Sequence, residues 1–318
     1  MAPARIVLRD LALALAAIVA SASVAAQGGR FSARLDVLSH FAAVYLALSI
    51  GFLVMAAFMS MQGRKLPMAL LGAVGAIASL ALMAPELLRP SPAAPQPDQG
   101  ARRIKVIQFN AGGADHAVDA YVAWFRSQAP DAVVMQESTP LIRAAVMERL
   151  NLHMTCGLTC DVAIFTKALP VSVERPRRGR HGAGPPVAFV SVSEADGGYT
   201  LAGTHYVWPI HLFTYRENVA RMALLLRQRP KDRLILTGDF NSASWSFARR
   251  REDVSMGLER RDRALATWPA TMPFGLAFLP IDHVYAGAGW KTVEVVRGPR
   301  LGSDHYPLVA TLALASPR

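Results

Sequence analysis

The sequence predicts an α/β domain with its sheets covered by helices, preceded by two or three membrane-spanning helices. Three observations predict this. From residue 102 onward, short β-rich runs alternate with helical ones. The first ninety residues hold three long apolar stretches with almost no polar face. Between the two regions, residues 91–100 contain three prolines and no large apolar side chain. Such a segment can neither form a helix nor feed a core, so it reads as a linker. The organisation is therefore a membrane anchor over 1–90, a Pro-rich linker over 91–101 and a folded domain over 102–318.

The anchor's apolar stretches cover about residues 8–26, 40–61 and 66–88, and a span needs roughly 20 apolar residues. The first follows Arg5 and Arg9 and ends in small residues before Gln27. It reads either as a span or as a signal peptide cut after Ala26. Both alternatives put the folded domain on the same side of the membrane. Arg64 and Lys65, between the second and third stretches, fit a cytoplasmic turn. That places the domain on the periplasmic or extracellular side of the inner membrane, although Arg30, Arg34 and Arg89 then lie outside as well.

Within the domain, the runs 104–110, 132–136, 162–166, 187–193, 200–204, 234–237, 281–285, 292–296 and 308–312 are predicted strands. Residues 117–128, ending before Pro130, and 140–150 are predicted helices, as are 213–229, where Val219, Met222, Leu225 and Leu226 share a face. Residues 175–186, rich in Arg, Gly and Pro, read as a basic loop.

Net charge is +11 over 318 residues, and 52 % of residues are apolar. The basic excess fits a polyanionic substrate or an anionic lipid surface. Arg249–Arg251 and Arg260–Arg263 could track phosphates; a solvated helix face is the simpler expectation. Two cysteines, Cys156 and Cys160, exclude a disulfide framework but allow one bridge in an oxidising compartment. With His153 they would still lack a fourth zinc ligand.

Polar residues immediately after apolar strands collect at sheet ends, where sites of α/β folds are built. Asn110, Glu137, His205, Asp239 and Asn241 fall there. Asp282 sits inside a strand-like run, where a carboxylate costs several kcal/mol unless paired, and an imidazole is a suitable partner. Asp304 and His305 precede the last strand. By the period of two, His283 points to the opposite face from Asp282. Carboxylates, amides and imidazoles together suit phosphoryl chemistry on a hard divalent ion such as Mg2+ or Mn2+. Trp208, Trp245 and Trp268 are candidates for stacking on a substrate, with core or rim packing as the plainer reading.

Six motifs carry a family resemblance: Phe-Asn at Asn110, Gln-Glu at Glu137, Thr-His at His205, Gly-Asp-Phe-Asn at Asp239 and Asn241, Ile-Asp-His-Val at Asp282, and Gly-Ser-Asp-His at Asp304 and His305. In order and spacing they resemble the endonuclease/exonuclease/phosphatase superfamily, the deoxyribonuclease-like metal-dependent phosphoesterases. With Thr267–Ala270 and the apolar prefix, the chain looks like a bacterial membrane-anchored subgroup. The resemblance implies a two-sheet sandwich flanked by helices. It implies that Glu137 binds the metal, with Asp304 nearby and Asn110 in support. It implies that Asp239 orients or deprotonates water, that Asn241 and His205 hold phosphate oxygens, and that His305, paired with Asp282, stabilises the transition state. Gly112 departs from the abasic-site endonucleases, which are acidic there; Asp115 and His116 are the nearest replacements.

The expected function is a membrane-tethered phosphoesterase, a hydrolase cleaving phosphodiester bonds, with nucleic acid as the first substrate class. A phospholipid head group or a small phosphomonoester is the second expectation, and a non-catalytic membrane binding module the third.

Overall fold

A computed structural model describes residues 2–58, 64–90, 101–177, 184–193 and 198–315. The expected linker 91–100 and the tip of the basic loop, 178–183, lie outside the described residues. The chain divides into two compact units: Met1–Arg89 with Ala243–Arg250, and Pro90–Ser242 with Arg251–Arg318.

The first unit contains helices α1 (Ala2–Ala26), α2 (Ala33–Ser39), α3 (Ala42–Phe58) and α4 (Lys65–Leu87). The segments Val7–Arg30 and Lys65–Leu87 are long and apolar enough to cross a membrane. The middle stretch expected over 40–61 holds α3, and a 56° turn separates it from the short α2 that precedes it. The cause is polar. Ser39 Oγ donates to the Asp36 carbonyl and carboxylate at 2.6 and 2.8 Å, and the His40 ring meets the same carbonyl at 3.1 Å. Side chains that bond nearby backbone in this way compete with the helical ladder. The Asp36 carboxylate also accepts the Phe247 and Ala248 N–H groups at 2.9 and 2.7 Å. These are donors of the first turn of α8 (Phe247–Met256), which has no partner for them inside the helix. The Trp245 indole donates to the Ser39 carbonyl at 2.9 Å.

The second unit is a two-sheet sandwich. One sheet takes β1 (Arg103–Asn110), β2 (Ala132–Gln136), β3 (His153–Cys156), β4 (Val162–Thr166), β11 (Trp290–Arg297) and β12 (Leu308–Leu314). The other takes β5 (Pro170–Glu174), β6 (Val187–Val192), β7 (Tyr199–His205), β8 (Leu234–Asp239), β9 (Glu259–Arg260) and β10 (Asp282–Ala286). Their orders are β11-β12-β1-β2-β4-β3 and β5-β6-β7-β8-β10-β9. Helices α5 (Val118–Gln128), α6 (Pro140–Leu150) and α7 (Leu212–Arg227) complete the unit. Helix α6 shows how local sequence sets its ends. Thr139 caps it by accepting from Ile142 N, Pro140 occupies its first turn, and Asn151 leaves it in the left-handed region at φ 51°.

The period of two builds both cores. Ile104 and Val106 join Val134, Ile164, Val190, Leu201 and Ile235 in the buried cluster between the sheets. The alternate residues Ile107 and Phe109, with Val133 and Met135, pack under Tyr121, Phe125, Ile142 and Val146. Gln108 and Asn110 continue the inward row of Val106, so their amides project toward the second sheet. Gly203 of β7 packs against the facing sheet; a Cβ there would stand 2.7 Å from Val134 Cγ1 and Val162 Cγ1.

Gly203→Ala should therefore force the sheets apart and lower the stability of this unit by about 1–3 kcal/mol. Denaturant unfolding followed by tryptophan fluorescence checks this; an unchanged midpoint would show that the valines yield freely.

Candidate active site

Three neighbouring strands place their polar residues in one row. His205 is paired with Asp239 across the parallel β7–β8 ladder, and Asp239 with Asp282 across the antiparallel β8–β10 ladder. Asn110 ends β1 opposite Gln136, and Glu137 follows β2 with φ 49°. The row and the two residues of the first sheet meet at one end of the sandwich.

The side chains converge on Asp239 Oδ2. Asn110 Nδ2 donates to it at 3.1 Å and Asn241 Nδ2 at 3.3 Å, while the Nε2 atoms of His205 and His305 each stand 3.7 Å away. Its other oxygen accepts the Asn241 N–H at 2.8 Å. Burial pushes Asp239 up, and the Asp282 carboxylate adds to this. The two imidazoles and the Asn241 N–H pull it back, leaving it at about 6. A carboxyl so placed can exchange a proton near neutrality.

Each imidazole has its own carboxylate. His305 Nδ1 meets Asp282 Oδ2 at 2.8 Å. Burial opposes its charge, but Asp282, then Asp239 and Asp304, outweigh burial and raise it to about 9. His205 Nδ1 meets Asp161 Oδ2 at 3.0 Å. Burial again opposes the charge; the bond to Asp161 and the carboxylates of Asp239 and Glu137 raise this ring to about 9 also. Asp161 is the residue that sequence reasoning missed. It precedes β4 directly after Cys160, and Cys156 and Cys160 are joined in a disulfide rather than held for zinc. Its carbonyl also accepts the Glu137 N–H at 3.1 Å. An aspartate in a disulfide-closed turn carries no strand-end signal.

Asp239, Asp282 and His305 form a buried cluster with ligand atoms within 4.8 Å of one another. Both Asp282 oxygens are already engaged, by His305 and by Gln108 Nε2 at 2.8 Å, so Asp282 and His305 form a hydrogen-bonded pair beside Asp239. The oxygens with room for an ion lie on the other side. Glu137 Oε1 accepts from Asn110 Nδ2 at 3.0 Å, and its side chain is 44 % exposed. Asp304 Oδ2 accepts from the Trp268 indole at 2.9 Å, and its Oδ1 accepts from the Ser303 hydroxyl at 3.4 Å. Asn110 Oδ1 takes the Gly112 N–H at 3.0 Å, so this residue supports the carboxylates rather than offering its own oxygen. Gly112 has φ 55°, and a Cβ there would stand 2.8 Å from Asp304 Oδ1. An acidic side chain at 112 is thus excluded, and Asp115 is bonded instead to the Thr139 hydroxyl.

Glu137, Asp161, His205, Asp239, Asn241, Asp304 and His305 line one cleft of about 430 Å³, with Trp208 and Trp268 at its edge. Asn110 and Asp282 sit behind it. The two indoles meet edge to face, 5.2 Å between centroids. Trp245 is elsewhere, buried in the first unit. The arginine clusters also differ from the solvated face expected of them. Arg249, Arg260 and Arg261 are buried. Arg260 pairs with Asp253 and Asp262, while Arg261 donates to the carbonyls of Ala286 and Gly287.

A model of the Endonuclease/Exonuclease/phosphatase family matches residues 107–305. The chain belongs to this family. A search of curated proteins finds no match. Among solved structures, the family member from Bacteroides vulgatus superposes with a TM-score of 0.55 at 17 % identity, over 67 % of this chain and 100 % of that one. Sphingomyelinase C from Streptomyces griseocarneus gives 0.52 at 17 %, over 66 % and 99 %. A humanized D. rerio TDP2 gives 0.53 at 14 %, over 66 % and 98 %. At these identities the likeness establishes the fold, and family membership makes the chain a phosphoesterase in the general sense.

His283 faces away from the cleft, as the strand period predicts. Its Nδ1 meets Asp262 Oδ2 at 2.8 Å and its Nε2 meets the Ser242 carbonyl at 2.9 Å. Burial opposes the Asp262 charge, but His283, Arg260 and the Val284 N–H outweigh it and hold the carboxyl well below its ordinary 3.8. A depressed folded-state pKa stabilises the fold above the unfolded value and loses that stabilisation as pH falls below it. Asp262→Asn should cost about 3–5 kcal/mol at neutral pH. It should also flatten the loss of stability below about pH 4. Unfolding midpoints measured across that range check both.

Proposed function

We propose that this protein is a membrane-tethered, divalent-metal-dependent phosphodiesterase. The observation that carries the reading is the convergence of two carboxylate-backed imidazoles and two amides on one buried carboxylate, beside the more open oxygens of Glu137 and Asp304. The donor set fits a hard ion, since it offers carboxylate oxygen and no thiolate. Glu137 and Asp304 would hold Mg2+ or Mn2+, with Asn110 orienting Glu137. The ion would supply charge neutralisation at the phosphate oxygens.

The remaining chemistry belongs to the side chains. Asp239, with its pKa at about 6, accepts a proton from water as the water oxygen bonds to phosphorus. His305 and His205, charged at neutral pH by their partners Asp282 and Asp161, stabilise the negative charge that develops on the phosphoryl oxygens. Asn241 Nδ2 already donates to the Tyr206 carbonyl at 2.8 Å, which fixes the amide at the cleft floor beside the phosphate position. The P–O bond to the leaving alcohol breaks, and a proton ends on that alkoxide. One diester and one water become a phosphomonoester and an alcohol. The apolar helices of the first unit support a membrane tether, and the disulfide and the sequence-derived topology support a periplasmic or extracellular location. Nucleic acid, the first expectation from net charge, loses the support of Arg249, Arg260 and Arg261, which are buried.

His305→Ala should lower turnover about 10²–10³-fold, as removal of a transition-state charge donor does. Glu137→Gln should raise the Mg2+ or Mn2+ concentration needed for half-maximal rate. Both are read on the full-length chain with a panel of soluble diesters, oligonucleotides, phospholipids and phosphomonoesters. A near-normal rate in the first, or an unchanged metal requirement in the second, removes that residue from its role.

A further inference from the structure

Two segments without formal charge form part of the cleft's mouth, beside Gly184 and Pro186 of the basic loop. Residues 206–215 and 264–281 contain no Asp, Glu, Lys or Arg, in a chain where 18 % of residues are charged. Both segments expose large apolar side chains. Phe274 is 97 % exposed and Phe213 76 %, with Ile210, Met272 and Leu276 exposed beside them. Single exposed apolar residues are ordinary, but several on two segments that share one cleft suit a surface that meets another apolar phase.

The two segments are joined at the site. Trp208 and Trp268 meet edge to face, Phe278 packs on Trp268, and the Trp268 indole holds Asp304. The loop tip turns back so that Gly275, with φ 68°, sits against the hydroxyl of Tyr306, next to His305. On the other side, His211 and Thr214 line the cleft while their neighbours Ile210 and Phe213 are exposed. Both segments that line the cleft therefore also carry exposed apolar side chains. Indole rings at the border suit a boundary between water and lipid, with one polar N–H and an apolar body.

Resting on the phosphodiesterase reading, we infer that this rim docks on a lipid bilayer and that the diester hydrolysed is a phospholipid head group. A nucleic acid track needs cations beside the cleft. The two segments hold none, and Arg249, Arg260 and Arg261 are buried. A bilayer, in contrast, is the surface closest to hand. A ten-residue connection (91–100) to helices fit to cross a membrane keeps the domain within a few tens of ångströms of lipid.

The test uses the full-length chain reconstituted with Mg2+ or Mn2+ into phosphatidylcholine–phosphatidylglycerol vesicles. Release of phosphomonoester or head-group alcohol from lipid is measured beside hydrolysis of bis(p-nitrophenyl) phosphate and of a single-stranded oligonucleotide. The Phe274→Ser, Leu276→Ser double variant should lose lipid turnover by about ten-fold or more, with the soluble diester within about two-fold. Lipid turnover unchanged in that variant, or an unaltered chain that cleaves the oligonucleotide and leaves lipid intact, overturns the inference. A chain that hydrolyses none of the three defeats the phosphodiesterase reading instead. Docking is then decided separately by a nitrobenzoxadiazole label on Phe274→Cys, the native cysteines being bonded to each other. Blue-shifted emission quenched by brominated acyl chains supports the docking face; solvent-like emission overturns it.

Discussion

The site depends on a buried carboxylate at Asp239. A lone carboxylate in that position would cost several kcal/mol. It is tolerated because four nitrogen groups surround one of its oxygens and a backbone N–H meets the other. Those partners come from the ends of different strands in both sheets, so Asp239 acts as the point where the sandwich closes. The strand pairing of His205, Asp239 and Asp282 is what makes the convergence possible. A slip of one residue in either ladder would turn a side chain to the opposite face of the sheet.

The same arrangement sets the electrostatics. Two imidazoles kept charged by Asp161 and Asp282 flank a carboxyl whose own pKa is raised to about 6. Environments that push neighbouring titratable groups apart are the usual sign of divided acid and base roles. The surroundings then change within a short distance. The floor is polar and tightly bonded, the edge is a pair of indoles, and the rim is apolar and free of formal charge. On the proposed reading, the floor serves chemistry at phosphorus and the rim serves delivery of the substrate.

Much of this was legible in the sequence, for particular reasons. Strands β1, β2, β4 and β8 are short, strongly apolar runs ending in a polar residue, and such runs declare both the element and the residue at its end. Helices α5 and α6 are bounded by Pro130 and by Thr139–Pro140. Strands β3 and β5 lack that signal. Their exposed edge residues, such as Met154 and Val171, show no buried face. Helix α8 was expected only as a solvated face, because its arginine-rich sequence reads as a surface. Arg249 is buried all the same, and the cap of the first turn comes from Asp36, more than two hundred residues earlier. The bend between α2 and α3 escaped for a related reason: hydropathy reports length and apolarity, not the side chain that breaks the ladder.

The sequence by itself determined the family motifs, the alternation of strands and helices and the apolar prefix, because these are properties of local pattern. Through the family resemblance it also supplied the expectation that Asp304 and His305 have separate jobs, with Asp282 as the partner of His305. Only the tertiary structure decided that Asp161 backs His205, that Trp268 holds Asp304 and that Gly112 must stay bare beside that carboxylate. Only the tertiary structure, too, brought Trp208 and Trp268 together at the cleft. These are contacts between segments far apart in the chain, and their distances follow from how two sheets pack, which no local pattern encodes.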